Sequence, residues 1–162
     1  MSRLTIVLAL SVMLAACGFQ LRGTANLPQE MSTTHVQVGD DTTLFIRELK
    51  LLLQANQVRV VEAPEPDAAT LVIARQQLNR RPLTIAGDAR VREFELIFNL
   101  EFRLLDKAGE ELIGPESVRL VRDFRFDEQE ILAATREEEL LREELRRNMA
   151  AQLIRRLEAA GR

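Results

Sequence analysis

Tryptophan and tyrosine are absent from the 162 residues, and seven phenylalanines make up the whole aromatic complement. Little surface is left for stacking sugars or nucleotides. The single histidine, His35, opens a short alternating stretch and reads as a structural or surface residue, not a base or ligand. No Cys/His cluster has zinc spacing, no glycine-rich loop cradles phosphate, and no G-x-S-x-G or other nucleophile with a base occurs. The carboxylates fall in helical stretches or alternate along a strand, where solvation accounts for them. The chain therefore reads as a non-enzyme, with no metal and no cofactor. Lysine is nearly missing too, with only Lys50 and Lys107 after the first residues. The cations are thus almost all arginine, which suits fork-like contact with carboxylate or phosphate.

One cysteine excludes an internal disulfide. Its position gives it a different use. Ser2-Arg3 supplies a positive charge, and Leu4 to Ala16 follows with no charge and no proline, ending in small residues. This pattern is a secretory signal, shorter than the roughly 20 residues of a membrane-spanning helix. Leu14-Ala15-Ala16-Cys17 resembles the lipobox of bacterial lipoproteins. That resemblance implies cleavage before Cys17, an S-diacylglycerol on its thiol and an N-acyl chain such as palmitate on its new amine. Several chains suit stable anchoring, since one chain alone binds marginally. Gly18, in place of the aspartate that retains lipoproteins at the inner membrane, implies the outer membrane.

Without residues 1–16 the chain keeps 146 residues, enough for one domain that buries about 70% of its unfolded surface. Arg3 leaves with the signal, so 21 Lys+Arg stand against 25 Asp+Glu, net −4. That balance asks for no nucleic acid. The expected organisation is a signal peptide over 1–16, a lipidated N-terminus and tether over 17–34, and one domain over 35–162. No second apolar run is long enough to span a bilayer as a helix.

The patterning predicts the elements. Gly23 to Ser32 reads as an extended tether, and His35 to Val38 as a short strand. Asp40 or Asp41 is expected to cap a helix that runs to about Gln54, with Phe45, Leu49, Leu52 and Leu53 on its inner face. Asn56 suits a left-handed stop. Gln57 to Glu62 and Ala69 to Leu78 read as strands, and Asn79 to Ala89 as a long irregular basic loop. Phe94, Leu96, Phe98, Leu100, Phe102 and Leu104 alternate strictly with polar residues, apart from Ile97, which marks a half-buried antiparallel strand. Asp106 to Gly109 turns the chain back. Val118, Leu120, Phe124 and Phe126 share a face of the next strand, interrupted by Arg122, which is expected at the sheet margin or paired.

Asp127, with Glu130 at capping-box spacing, is expected to begin a last helix to about Ala159. Leu141, Leu145, Met149, Leu153 and Leu157 repeat along it, and the acids Glu137 to Glu139 could break it after Ala134. Glu138–Arg142 and Glu143–Arg147 are expected i,i+4 pairs. The fold class is α+β: two helices packed on one face of a four- or five-stranded mixed, largely antiparallel sheet. The other sheet face stays polar.

Cys17-Gly18-Phe19-Gln20-Leu21-Arg22-Gly23, followed by Leu27-Pro28, resembles the mature start of the LptE family of LPS-assembly lipoproteins. The order of the later elements agrees over nearly all of the mature chain. The resemblance implies a lipid-anchored outer-membrane subunit, on the periplasmic side, that plugs an LptD-type β-barrel one to one and helps it assemble. It also implies contact with lipopolysaccharide. A polar exterior suits the wet lumen of a barrel, and anionic lipid A phosphates suit arginine forks. The candidates are Arg80, Arg81, Arg90 and Arg92 around the basic loop, and Arg136 near the start of the last helix. Surface or partner pairing is the plain alternative for these arginines. The competing functions are a free-standing periplasmic ligand-binding or transporter-accessory lipoprotein, which a deep apolar pocket would favour, and an enzyme built on buried carboxylates near His35.

Overall fold

The computed structural model describes residues 25–85, 91–126 and 129–161, and at 84, 85, 91 and 92 the backbone alone. A 3₁₀ turn, Gln29–Ser32, leads into β1 (Thr33–Val38), α1 (Leu44–Ala55), β2 (Arg59–Val61), β3 (Ala69–Ile85), β4 (Val91–Leu105), β5 (Glu111–Arg125) and α2 (Ile131–Ala160). The five strands form one sheet in the order β2-β1-β3-β4-β5. β1 lies parallel to both β2 and β3, while β3, β4 and β5 are antiparallel neighbours. The expected α+β sandwich forms, with five strands, the larger of the two numbers expected.

β4 is the centre of the sandwich. Leu96, Phe98, Leu100, Phe102 and Leu104 are buried beneath the helices, as period two dictates. Phe45 of α1 meets Phe98 edge-on with centroids 5.1 Å apart. α1 adds Ile46, Leu49 and Leu53 to this core, and α2 adds Leu145, Met149, Leu153, Ile154 and Leu157. Both helices descend from the hairpin side toward the end of the sheet where β1 begins, which we call the base. The β3–β4 hairpin closes at the opposite end, where Ile85 pairs with Val91.

Several boundaries differ from the sequence reading. The residues Asn79 to Ile85 are not a loop. They continue β3, with Asn79, Arg80, Arg81 and Pro82 in register with Ile97, Leu96, Glu95 and Phe94. The long alternating β4 supplies a partner for each of these four, and that pairing overrides the local basic, proline-containing composition. Pro82 sits beside a register shift, where a missing N–H is tolerated. α1 is capped by Thr43, whose Oγ1 accepts from the Ile46 N–H, while Asp40 turns back to accept from the Thr42 amide and hydroxyl. The left-handed residue after α1 is Gln57, with φ 66°, and not Asn56. β1 starts two residues earlier than expected, at Thr33, and β2 is confined to three residues.

α2 starts at Ile131, after Phe126 has packed edge-on against Phe94. Glu130 is at its N-cap without a side-chain cap bond, and Asp127 lies outside the described residues. The helix runs unbroken through Glu137–Glu139 because Arg80 and Arg142 neutralise Glu138. Arg122 is both marginal and paired, on edge strand β5 with Glu144 at 3.2 Å. The expected Glu138–Arg142 and Glu143–Arg147 pairs are present at 2.6 and 3.3 Å.

Candidate functional site

Neighbouring residues of a strand point to opposite faces, and this separates the arginines of β3. Arg80 faces the helices. Its guanidinium lies 4.2 Å from the centroid of Phe94 and pairs with Glu138 of α2 at 2.8 Å. Phe94 in turn stacks on Phe124 with centroids 5.7 Å apart. Arg80 therefore ties the far half of the hairpin to the start of α2. Arg81 faces the other way and donates through Nε to Glu95 Oε1 at 2.7 Å.

Glu138 is shared between Arg80 and Arg142. Burial pushes its carboxyl up, but hydrogen bonds from Arg142 and Arg80 outweigh this and hold it below the ordinary glutamate range. A depressed folded-state pKa gives stability that is present above the unfolded value and is lost as pH falls through the folded one. Thermal unfolding followed from neutral pH into acid should therefore fall less steeply for the Arg80→Ala, Arg142→Ala double variant than for the parent. Equal slopes would show that this carboxylate contributes nothing to the acid response.

The far face of the sheet is a lattice of cross-strand ion pairs: Arg75–Glu101 at 3.3 Å, Arg81–Glu95, Arg103–Glu111 at 3.8 Å and Arg125–Glu93 at 3.8 Å. Glu95 and Ile97 are nonetheless buried on this face. Arg81 covers Glu95, and Ile97 sits between Asn79 and Val121 of the flanking strands. The expected polar second face is thus charged but nearly neutral, with four of its arginines paired to glutamates and Arg119, opposite Asn99, left exposed.

Arg136 lies elsewhere, on the outer side of the helix layer. With Leu44, Leu140, Arg142 and Arg146, and the acids Glu139 and Glu143, it lines a groove of about 560 Å³ between the start of α1 and α2. Leu44 and Leu140 are exposed there. Among the described residues the Arg136 side chain has no ion pair or hydrogen bond. Arg146 reaches Glu48 only at 3.8 Å, and its Nε is buried without an acceptor. Arg142 and Arg146 were not singled out as ligand contacts from sequence; the signal was an arginine-rich helix face beside two leucines that face solvent. The structure thus does not gather the candidates at one point: Arg80 and Arg81 are on opposite sheet faces and Arg136 is in the groove. Cys17, Arg90 and the side chain of Arg92 lie outside the described residues. Among those described, no group of three His, Cys, Asp or Glu could hold a metal, and no helix is long and apolar enough to cross a membrane. His35 donates through Nδ1 toward the Val61 carbonyl at 3.3 Å, a bond between neighbouring strands.

A family model described as LptE, lipopolysaccharide-assembly, matches residues 31–157. The chain belongs to the LptE family. It is 31% identical over 155 residues to the LPS-assembly lipoprotein LptE of Pectobacterium atrosepticum, covering 94% of this chain and 83% of that one. It is 28% identical over 155 residues to the LPS-assembly lipoprotein LptE of Photorhabdus laumondii, covering 95% and 84%. Among solved structures, a lipoprotein B from Nitrosomonas europaea superposes with a TM-score of 0.73 at 28% identity, covering 88% of this chain and 91% of that one. The rare lipoprotein B from Shewanella oneidensis gives 0.66 at 27%, covering 78% and 94%. The LptE resemblance drawn at Cys17 to Gly23 therefore extends through the body of the chain. LptE membership makes this a non-enzymatic lipoprotein of lipopolysaccharide assembly at the outer membrane.

Proposed function

We propose that the chain is anchored by acyl groups on Cys17 to the periplasmic side of the outer membrane, plugs the lumen of an LptD-type β-barrel one to one, helps that barrel assemble, and contacts lipopolysaccharide. In this reading residues 1–16 are removed as a signal peptide and 17–24 connect the anchor to the single domain, which takes in 25–34 because Pro28 and Met31 are buried and β1 starts at Thr33. The far-face lattice carries the proposal. A sheet face whose arginines are balanced in number by its glutamates and Asp123 is hydrophilic without strong net charge, and such a face suits a wet, polar lumen.

Lipopolysaccharide offers phosphates and acyl chains together. The groove offers Arg136, which has no side-chain partner among the described residues, the guanidiniums of Arg142 and Arg146, and two exposed leucines. Of the five candidate arginines, Arg136 is thus the one best disposed to take a phosphate, whereas Arg80 and Arg81 must first give up Glu138 and Glu95. Arg90 and Arg92 belong to the same proposal by sequence position alone.

Affinity purification from detergent-solubilised outer membranes tests the reading. A heat-modifiable barrel protein recovered in equal amount is the expected result, and a chain recovered alone would overturn it. On immobilised lipopolysaccharide, Arg136→Asp with Arg146→Asp should lower retention about tenfold or more, corresponding to two charge-assisted contacts. Undiminished retention would remove the groove from the contact surface.

A further inference from the structure

The segment read as an extended tether is docked from Ala25 onward. Pro28 and Met31 are buried, Ala25 and Leu27 pack against the core, and Thr34 Oγ1 donates to the Met31 carbonyl at 2.8 Å. Two residues distant in sequence grip this strap. The Ala25 N–H donates to Asn56 Oδ1 at 2.6 Å. The same side chain donates through Nδ2 to the Leu52 carbonyl at 2.7 Å, so it is fixed to the last turn of α1.

The second grip is Gly161, immediately after α2. A Cβ at Gly161 would lie 3.1 Å from Pro28 N and 3.2 Å from Pro28 Cα and Cγ. Two of those atoms are backbone and the third belongs to a ring, so a side chain at 161 would press the strap outward by a few tenths of an ångström. Gly161 has φ −85°, a conformation open to any residue. Glycine there serves the close approach of Pro28, and not the turn.

We propose that Asn56 and Gly161 are positioning residues for the membrane anchor. They clamp the strap, so the anchored end leaves the domain at one fixed place on the base, and in the lipoprotein outside a barrel the β3–β4 hairpin lies at the end remote from the bilayer. The proposal rests on the reading that Cys17 is acylated. Cys17 is eight residues ahead of Ala25, a reach of about 28 Å at full extension. β3, with 17 residues, is about 55 Å long at the usual rise. Freeing the strap through Ser32 would roughly double the reach and let the domain reorient on its tether.

The test uses the full-length lipoprotein in phosphatidylcholine vesicles that carry an acceptor dye on their headgroups. Leu83→Cys, near the hairpin end, takes the donor dye, since acylation occupies the only native thiol. In the clamped protein, transfer to the membrane should be low. In Gly161→Val and in Asn56→Ala it should rise about twofold or more, because the longer reach admits closer approach and transfer climbs steeply as the dyes near each other. Hydrogen exchange at the Ala25 and Leu27 amides should quicken about tenfold or more, with β4 amides unchanged. Asn56→Asp, which keeps the acceptor, should retain protection at Ala25. Unchanged exchange at Ala25 in Asn56→Ala would overturn the clamp, even if Gly161→Val were to unfold the domain. Faster exchange with unchanged transfer would overturn its role in orientation. Intact mass reports separately on acylation: an unacylated Cys17 would sink the anchor reading and leave the exchange result standing.

Discussion

Phe98→Ala is expected to destabilise the domain by about 3–5 kcal/mol, a large part of the roughly 5–15 kcal/mol that holds a domain of this size together. The ring is 2% exposed, sits midway along the central strand, and meets Phe45 edge-on. α1, α2 and the sheet converge around it, so neither layer can collapse into the void without leaving the other. Guanidinium unfolding followed by far-UV circular dichroism measures the effect. Leu132→Ala, on a side chain 79% exposed near the start of α2, should stay within about 0.5 kcal/mol of the parent. A Phe98 variant as stable as the Leu132 variant would mean that the sandwich is not organised around β4.

Arg81→Ala is expected to cost about 2 kcal/mol, because it leaves a buried carboxylate without its cation. Glu95 is 5% exposed on a face otherwise open to water, and Arg81 supplies its cover. The same substitution at Arg75, whose partner Glu101 is half-exposed, should cost no more than about 0.5 kcal/mol. Replacing both Arg81 and Glu95 by leucine should recover most of the loss, since a buried pair can be exchanged for apolar packing at little cost. If Arg81→Ala and Arg75→Ala proved equally mild, the far-face lattice would be ordinary surface charge.

What could be read from sequence follows the range of the forces involved. The β4 face was legible because alternation over eleven residues is a local pattern with one physical meaning. The leucine stripe of α2 was legible for the same reason. Residues Asn79 to Pro82 were misread because their strand conformation is imposed by β4, from more than ten residues away. Burial of Glu95 was invisible because its cover comes from a neighbouring strand in a register that no single-strand pattern encodes. Asp40 and Thr43 both suit an N-cap, and only the path of the chain after β1 decides between them. The arginines were visible as a class, but their partition between two sheet faces and a helix groove depends on topology. The groove itself needed α1 and α2 to be side by side before Leu44 and Arg136 could share it.

The contact between Pro28 and Gly161 joins the two ends of the described chain, the widest separation in sequence of any contact described above. Contacts that close so large a loop form late. A chain made amino end first presents Pro28 long before the last turn of α2 exists to meet it. Until then the strap is held by its Asn56 hydrogen bond and its own packing, and the second grip is added only when the final residues of α2 have folded.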